Sequence, residues 1–146
     1  MTRVRAQARI DPAIAVGAME ELWYDLARWP TFVDGFAAVV EQDAGWPRRG
    51  TLVWDSHPGG RGRVTERVTR FEPRSGQDLD VEDPAMTGAQ RLRFAPGVVA
   101  LELDYRLKGH GRVLDLLFVR RAMRDSLRRT VDRFAFEVEG GAESVP

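Results

Sequence analysis

The sequence predicts an α+β domain in which a long C-terminal helix packs across a curved antiparallel sheet of about seven strands. Three observations predict it. An apolar repeat of helical period lies near the N-terminus, short alternating segments fill the middle of the chain, and a longer helical repeat closes it. A chain of 146 residues has the length of a single domain with a substantial core.

The N-terminal elements are a strand and a helix. Residues 3–10 alternate polar and apolar side chains, which is typical of a strand with one buried face. After a turn, an apolar helical repeat begins, and Pro30 is expected to end it because the residue before a proline avoids the helical region. The predicted helices cover 13–29 and, as one short turn, 31–34.

Six strands are predicted to follow, separated by turns rich in glycine and proline. They cover 36–43, 50–56, 62–72, 77–82, 89–95 and 98–107. Short segments with turn signals at this spacing are typical of an antiparallel meander. In the last segment apolar side chains alternate with charged ones, which indicates one buried and one solvent-facing side.

The helical repeat returns from about 112 to 138. Its apolar stripe consists of Leu116, Val119, Met123, Leu127, Thr130, Phe134 and Val138. A straight helix laid across a twisted sheet leaves space near its middle. We therefore expect a cavity for an apolar small molecule there, unless the large aromatic side chains fill it. Residues 1–139 form the predicted domain, and 140–146 are expected to be a flexible tail.

Several motifs resemble one known group of proteins. Residues 22–30 read Leu-Trp-Tyr-Asp-Leu-Ala-Arg-Trp-Pro and resemble the opening helix motif of the START-like superfamily called SRPBCC, which includes polyketide cyclase/dehydrase and lipid-transport proteins. Residues 50–51 and 68–73 resemble its strand motifs, and 114–138 resemble its last helix. The resemblance implies the helix-grip (START-like) fold in the order β-α-α-β6-α, with a hydrophobic ligand cavity between sheet and helix.

The candidate cavity residues come from the predicted strands and the last helix. They are Trp54, Thr65, Thr69, Leu92, Phe94, Leu101, Leu103, Tyr105, Met123 and Leu127. Which face of 62–72 lines the cavity is left open, because valines alternate there with threonine, glutamate and arginine, and a shift of one residue exchanges the two faces.

Arg67, Tyr105 and His110 are weak catalytic candidates. A buried arginine can stabilise an enolate, and a tyrosine can orient a polyketone. Histidine is the usual group for proton transfer near neutral pH, and His110 precedes the last helix at the expected pocket mouth. The sequence leaves open whether the protein is an enzyme.

Other kinds of site are not favoured. Cysteine is absent, and neither histidine has partners at metal-ligand spacing, so we expect no metal and no cofactor. Residues 59–63 are interpreted as a hairpin turn, since a phosphate-binding loop would lead into a helix. The acidic stretch at 78–83 is interpreted as a solvated edge strand, because it lacks the glycine of a calcium loop.

The charge pattern bears on partners. The 22 basic and 22 acidic residues cancel, which does not favour nucleic-acid binding. The net positive charge of an arginine-rich stretch at 112–133 is balanced by the net negative charge of an acidic stretch at 11–34. We therefore expect these charges to pair within the chain or to be solvated. No apolar run is long enough to cross a membrane, and no secretory signal is recognisable. We expect a cytoplasmic, bacterial protein that is a monomer or homodimer.

Three functions are compatible with these features. The first is a non-catalytic carrier or sensor of a hydrophobic small molecule or lipid, favoured by the expected cavity and the lack of catalytic spacing. The second is an enzyme similar to polyketide cyclases and aromatases. The third is an interaction module that uses the arginine-rich helix.

Overall fold

A computed structural model of the protein describes residues 1–109 and 113–143, with side chains for 1–109 and 117–141. The helices are α1 (Val16–Trp23), a 3-10 turn (Leu26–Arg28), α2 (Trp29–Phe32) and α3 (Val113–Glu143). The strands are β1 (Thr2–Arg9), β2 (Phe36–Gln42), β3 (Gly50–Ser56), β4 (Arg63–Glu72), β5 (Gly76–Glu82), β6 (Met86–Ala95) and β7 (Val98–Leu107). These strands form one antiparallel sheet in the order β1-β7-β6-β5-β4-β3-β2. The predicted α+β class and element order are confirmed.

The N-terminal helical region is divided rather than continuous. Asp25 leaves the helical conformation, with φ −88° and ψ 93°, and its side chain accepts a hydrogen bond from Ala27 N. Pro30 then lies in the first turn of α2, where its missing N–H loses no helical hydrogen bond. The prediction of one helix ended by Pro30 is therefore wrong, since this proline helps to begin the next helix.

The two faces of the sheet have different chemistry. The inner face carries apolar side chains from every strand and packs against the helices, as the alternation in β7 predicts. The outer face carries ion pairs between neighbouring strands, including Arg3–Asp104 at 2.7 Å and Arg91–Glu102 at 2.9 Å. The arginines of these pairs are exposed, whereas Asp104 and Glu102 are largely covered by them.

β5 is an internal strand, not the predicted edge strand. It lies between β4 and β6, and its acidic side chains face arginines of those neighbours. Asp80 pairs with Arg67 of β4, and Asp78 pairs with Arg93 of β6. The acidic stretch is thus compensated across the sheet by opposite charges, an arrangement that a single segment of sequence does not reveal.

α3 packs on the sheet mainly through its C-terminal half. Leu127, Thr130, Phe134 and Val138 of the predicted stripe are buried, Val119 and Met123 are half-buried, and Leu116 lies outside the described side chains. The helix continues through two glycines to Glu143, so it runs past the predicted domain end at 139. No helix among the described residues is long and apolar enough to cross a membrane.

Candidate functional site

The space between the sheet and α3 is mostly filled by aromatic side chains. Phe134 packs with ring centroids 5.1 Å from Trp23, 5.3 Å from Phe32 and 6.2 Å from Phe94. A cavity of about 40 Å³ remains beside this cluster. A space of this size holds no more than a few water molecules. The observed cavity is therefore smaller than expected, because aromatic side chains of the protein occupy the middle of the space between the sheet and α3.

This cavity has a mixed lining. Its apolar wall consists of Trp23, Trp29, Val33, Trp54, Leu79, Leu101 and Leu127. Its polar groups are Asp34, Arg61, Glu66, Gln90, Ser126 and Thr130. Polar groups that converge beside an apolar wall can fix the orientation of a bound small molecule. We take these residues as the candidate site.

Glu66 is a buried carboxyl group on the inner face of β4. It is 5% exposed, and its Oε2 accepts a hydrogen bond of 2.9 Å from Trp54 Nε1 on β3. Burial raises the pKa of Glu66 because the charged form loses its hydration, while the Trp54 hydrogen bond and the charge of Arg61 oppose this shift. The site therefore favours a neutral carboxyl group more than water does.

Arg61 reaches the same cavity from the β3–β4 turn. Its Nε donates to Asp83 Oδ2 at 2.9 Å, and its guanidinium lies 6.0 Å from the Trp54 ring centroid. Asp83 is held in turn by the backbone N–H groups of Ala85 and Met86. The Nη2 atom of Arg61 is buried and donates to no acceptor among the described residues. An unpaired buried donor is costly, and it marks a place where a ligand atom can be accommodated.

Asp34 lines the cavity and binds α3 through hydrogen bonds of its carboxylate and its backbone. Its carboxylate accepts hydrogen bonds from Ser126 at 2.8 Å and from Arg129 at 3.0 Å, and Arg133 approaches at 3.2 Å. Its backbone N–H donates to Thr130 Oγ1. Burial acts to raise the pKa of Asp34, but the hydrogen bonds and charges of these α3 residues outweigh it and hold the pKa below its ordinary value.

Replacing Asp34 by asparagine should loosen this attachment. We expect a loss of about 1 kcal/mol in the free energy of unfolding at pH 7, since charge-assisted hydrogen bonds to α3 become neutral ones at a partly exposed position. Because the pKa of Asp34 is lowered in the folded state, the stabilisation is present above the unfolded value of about 3.9 and is lost as pH falls through the folded value. Urea titrations from pH 2.5 to pH 7 would measure it.

Asp132→Asn is the matched control for this measurement. The substitution removes the same charge from an exposed position of α3. The Asp132 side chain forms no ion pair with a basic group in the described part of the chain. Its unfolding free energy should stay within about 0.5 kcal/mol of the wild-type value. Equal effects of the two substitutions would mean that the Asp34 attachment contributes nothing specific.

Only part of the predicted cavity set lines the observed cavity. Trp54, Leu101 and Leu127 do so. Leu92, Phe94, Leu103 and Tyr105 are buried on the same face of the sheet within the core, and Met123 is half-buried against it.

The predicted threonines do not line the cavity. Thr65 lines a groove on the outer face of the sheet, and Thr69 is exposed at an irregularity of β4 between Val68 and Arg70. Their inclusion is therefore corrected. The physical reason is the phase of β4, since Val64 and Glu66 point inward and Thr65 between them points outward, while Thr69 lies at the irregularity.

The predicted catalytic candidates do not come together. Arg67, a weak catalytic candidate from the sequence, is exposed on the outer face and pairs with Asp80, so strand phase places it away from the cavity. Tyr105 is fully buried on the inner face, and burial raises the pKa of its phenol. His110 lies outside the described residues.

Sequence reasoning missed Glu66 and Arg61, and the signals for them differ. Glu66 stands two residues from both Val64 and Val68, so the period of a strand places it on the apolar face. The two valines favour this face, while Phe71 on the opposite alternation leaves the choice open from sequence alone. Arg61 lies in a glycine-rich turn, and nothing in that turn indicates that its side chain reaches inward to Asp83.

A family comparison agrees with the fold and its elements. The sequence model described as polyketide cyclase / dehydrase and lipid transport matches residues 1–139. The chain belongs to this family. No curated protein sequence matches it. The resemblance of the helix and strand motifs to SRPBCC proteins is confirmed by this match.

Solved structures share the fold of this polyketide cyclase / dehydrase and lipid transport family member. TTHA0849 from Thermus thermophilus is 18% identical with a TM-score of 0.74, and the match covers 97% of this chain and 99% of that one. One half of the di-domain ARO/CYC protein BexL, from the BE-7585A biosynthetic pathway, is 20% identical with a TM-score of 0.71, covering 99% of this chain and 51% of that one. The ZhuI aromatase/cyclase from Streptomyces sp. R1128 is 13% identical with a TM-score of 0.64, covering 98% and 96%. At these identities the likeness concerns the fold.

Proposed function

We propose that the protein is a non-catalytic carrier or sensor that binds an aromatic small molecule with an oxygen substituent in the cavity between the sheet and α3. The observation that carries this proposal is the unpaired Nη2 of Arg61 beside the cavity and the buried Glu66. The tryptophan rings provide an apolar wall for an aromatic body. The guanidinium provides a donor for an oxygen atom.

Binding such a molecule requires the cavity to expand. Its volume of about 40 Å³ is far below the several hundred Å³ of a pocket that holds a drug-sized ligand. The adjoining part of α3 carries Val119 and Met123, which are only half-buried, and methionine adapts easily to irregular spaces. We therefore propose that ligand binding displaces this part of the helix rather than the aromatic cluster around Phe134.

A pair of related probes tests the role of Arg61. In ¹H–¹⁵N NMR titrations, 2-naphthol should shift the Trp54 indole signal saturably and bind about tenfold more tightly than naphthalene, the effect of one hydrogen bond from a charged donor. The variant Arg61→Met should reduce that preference to near unity. Its overall fold would be checked through the dispersion of the amide signals.

Arg63→Met is the matched control. Arg63 begins β4 two residues after Arg61, but it pairs with Asp55 on the exposed side at 2.9 Å. This variant should keep the full preference for 2-naphthol. The proposal fails if neither probe shifts the Trp54 signal up to millimolar concentration, or if Arg61→Met keeps the preference.

A second candidate function, an enzyme of the aromatase/cyclase type, is favoured by Glu66. BexL and ZhuI, which share the fold, are described as aromatase/cyclases. A carboxylate with a raised pKa is a stronger base, and in the same cavity Arg61 could stabilise the enolate that forms when the carboxylate removes a proton next to a carbonyl group. This candidate replaces the earlier one based on Arg67.

Proton exchange distinguishes the two functions. An enzyme should accelerate deuterium incorporation into the methyl group of 2-acetylnaphthalene at least about a hundredfold over buffer, and Glu66→Gln should abolish the acceleration while keeping the binding. A carrier should bind this ketone without accelerating exchange. A cytoplasmic location and a monomeric or homodimeric state stay predictions from the sequence.

A further inference from the structure

Two adjacent large apolar side chains are exposed near the N-terminal end of α3. Leu117 is 65% exposed and Phe118 is 74% exposed. They lie at the end of the helix where the apolar stripe is least buried, and they point away from the core. Adjacent exposed apolar side chains of this size are unfavourable in water and indicate a surface that contacts something else.

Arginines continue this surface along the helix. Arg121, Arg124 and Arg128 follow Leu117 at intervals of four, three and four residues, which places all four on one side of α3. Arg121 and Arg128 are exposed and pair with no carboxylate in residues 1–109 and 117–141, and the carboxylate nearest to Arg124 is that of Asp125 at 4.0 Å. We name Leu117, Phe118, Arg121, Arg124 and Arg128 the basic–apolar face.

Two further arginines of the helix lie on a different side from this face. Arg129 and Arg133 point to the cavity rim and pair with Asp34. The expected pairing between the arginine-rich and acidic stretches therefore exists, but it involves these two arginines. The charges of the basic–apolar face are left for solvent or for an external anion.

We propose that the basic–apolar face docks the protein on the surface of an anionic phospholipid bilayer. Leu117 and Phe118 enter the boundary between headgroups and acyl chains, and the three arginines bind lipid phosphates beside them. The contact is peripheral, with the helix in the plane of the surface. This proposal uses a different surface from the cavity and does not depend on what the cavity binds.

The combination of residues favours a bilayer over other polyanions. RNA could pair with the arginines and stack a base on Phe118, but it offers no apolar environment for Leu117. An acidic protein would need its own apolar patch beside its carboxylates. An anionic bilayer offers both environments at its interface, because long arginine side chains extend to the phosphates while the apolar side chains beside them enter the acyl boundary.

Vesicle co-sedimentation tests the proposal. The protein should bind vesicles of phosphatidylcholine with about 30% phosphatidylglycerol at low salt, bind pure phosphatidylcholine much more weakly, and dissociate in about 0.5 M salt. The double variant Arg121→Glu/Arg128→Glu should bind the anionic vesicles at least about thirtyfold more weakly. The double variant Leu117→Ser/Phe118→Ser should also lose most binding, although it keeps every charge.

A matched variant controls for net charge. Arg9→Glu/Arg106→Glu changes the charge equally on the outer face of the sheet. It should bind like the wild type. The proposal is overturned if this control loses binding to the same extent, if binding ignores vesicle charge, or if only a single-stranded RNA oligonucleotide is bound and lost in the arginine double variant. Unchanged circular dichroism would confirm that each variant folds.

Discussion

Replacing Phe134 by alanine should destabilise the fold by about 3 to 5 kcal/mol, the range for removing a fully buried aromatic ring. Phe134 is 0% exposed, and its ring packs edge-on against Trp23 and at an angle against Phe32. It also joins α3 to β6 through Phe94. The substitution therefore removes contacts that hold the helix on both the sheet and α2, and rigid neighbours will not close the space left behind.

The helix itself supplies the control for this measurement. Phe136→Ala removes the same ring from a position that is 75% exposed, and it should change the unfolding free energy by less than about 0.5 kcal/mol. Urea unfolding followed by tryptophan fluorescence would compare the two variants. If Phe134→Ala lost less than about 2 kcal/mol, the aromatic cluster would not be the main attachment of α3.

The fold could be predicted because its signals extend over many residues. The alternation in β7 and the stripe of α3 persist long enough that no local effect hides them. The prediction of one continuous N-terminal helix failed for a local reason. Asp25 offers its side chain to the backbone N–H of Ala27, and this competing hydrogen bond interrupts a helix that the apolar repeat alone would continue.

The candidate site was less predictable because it depends on volumes and on long side chains. The sequence gives the aromatic residues but not the curvature of the sheet. The cavity volume is the small difference between the space that the sheet and α3 enclose and the volume that the aromatic side chains fill. The phase of β4 was ambiguous because an irregularity between Val68 and Arg70 changes which residues point inward along the strand. The inward course of Arg61 could not be predicted, because it is set by Asp83, which is 22 residues away and is positioned by another turn.

Replacing Glu66 by glutamine should stabilise the protein by about 2 kcal/mol at pH 9 and by almost nothing at pH 4. Glutamine can still accept the hydrogen bond from Trp54 Nε1 but cannot become charged. Because burial raises the pKa of Glu66, the folded wild type holds this proton more tightly than the unfolded chain does. Wild-type stability therefore falls as pH rises from the unfolded value of about 4.3 through the raised folded value.

The difference in unfolding free energy between Glu66→Gln and the wild type should grow with pH. Urea titrations between pH 4 and pH 9 would measure this difference. Glu72→Gln is the control on the same strand, because Glu72 is exposed and pairs with Arg70 at the surface. Its difference from the wild type should stay small at every pH. Parallel curves for the wild type and Glu66→Gln would show that Glu66 is charged at little cost. The cavity would then hold a carboxylate paired to Arg61, which would remove the basis for proton transfer by Glu66 and leave carrier function as the better proposal.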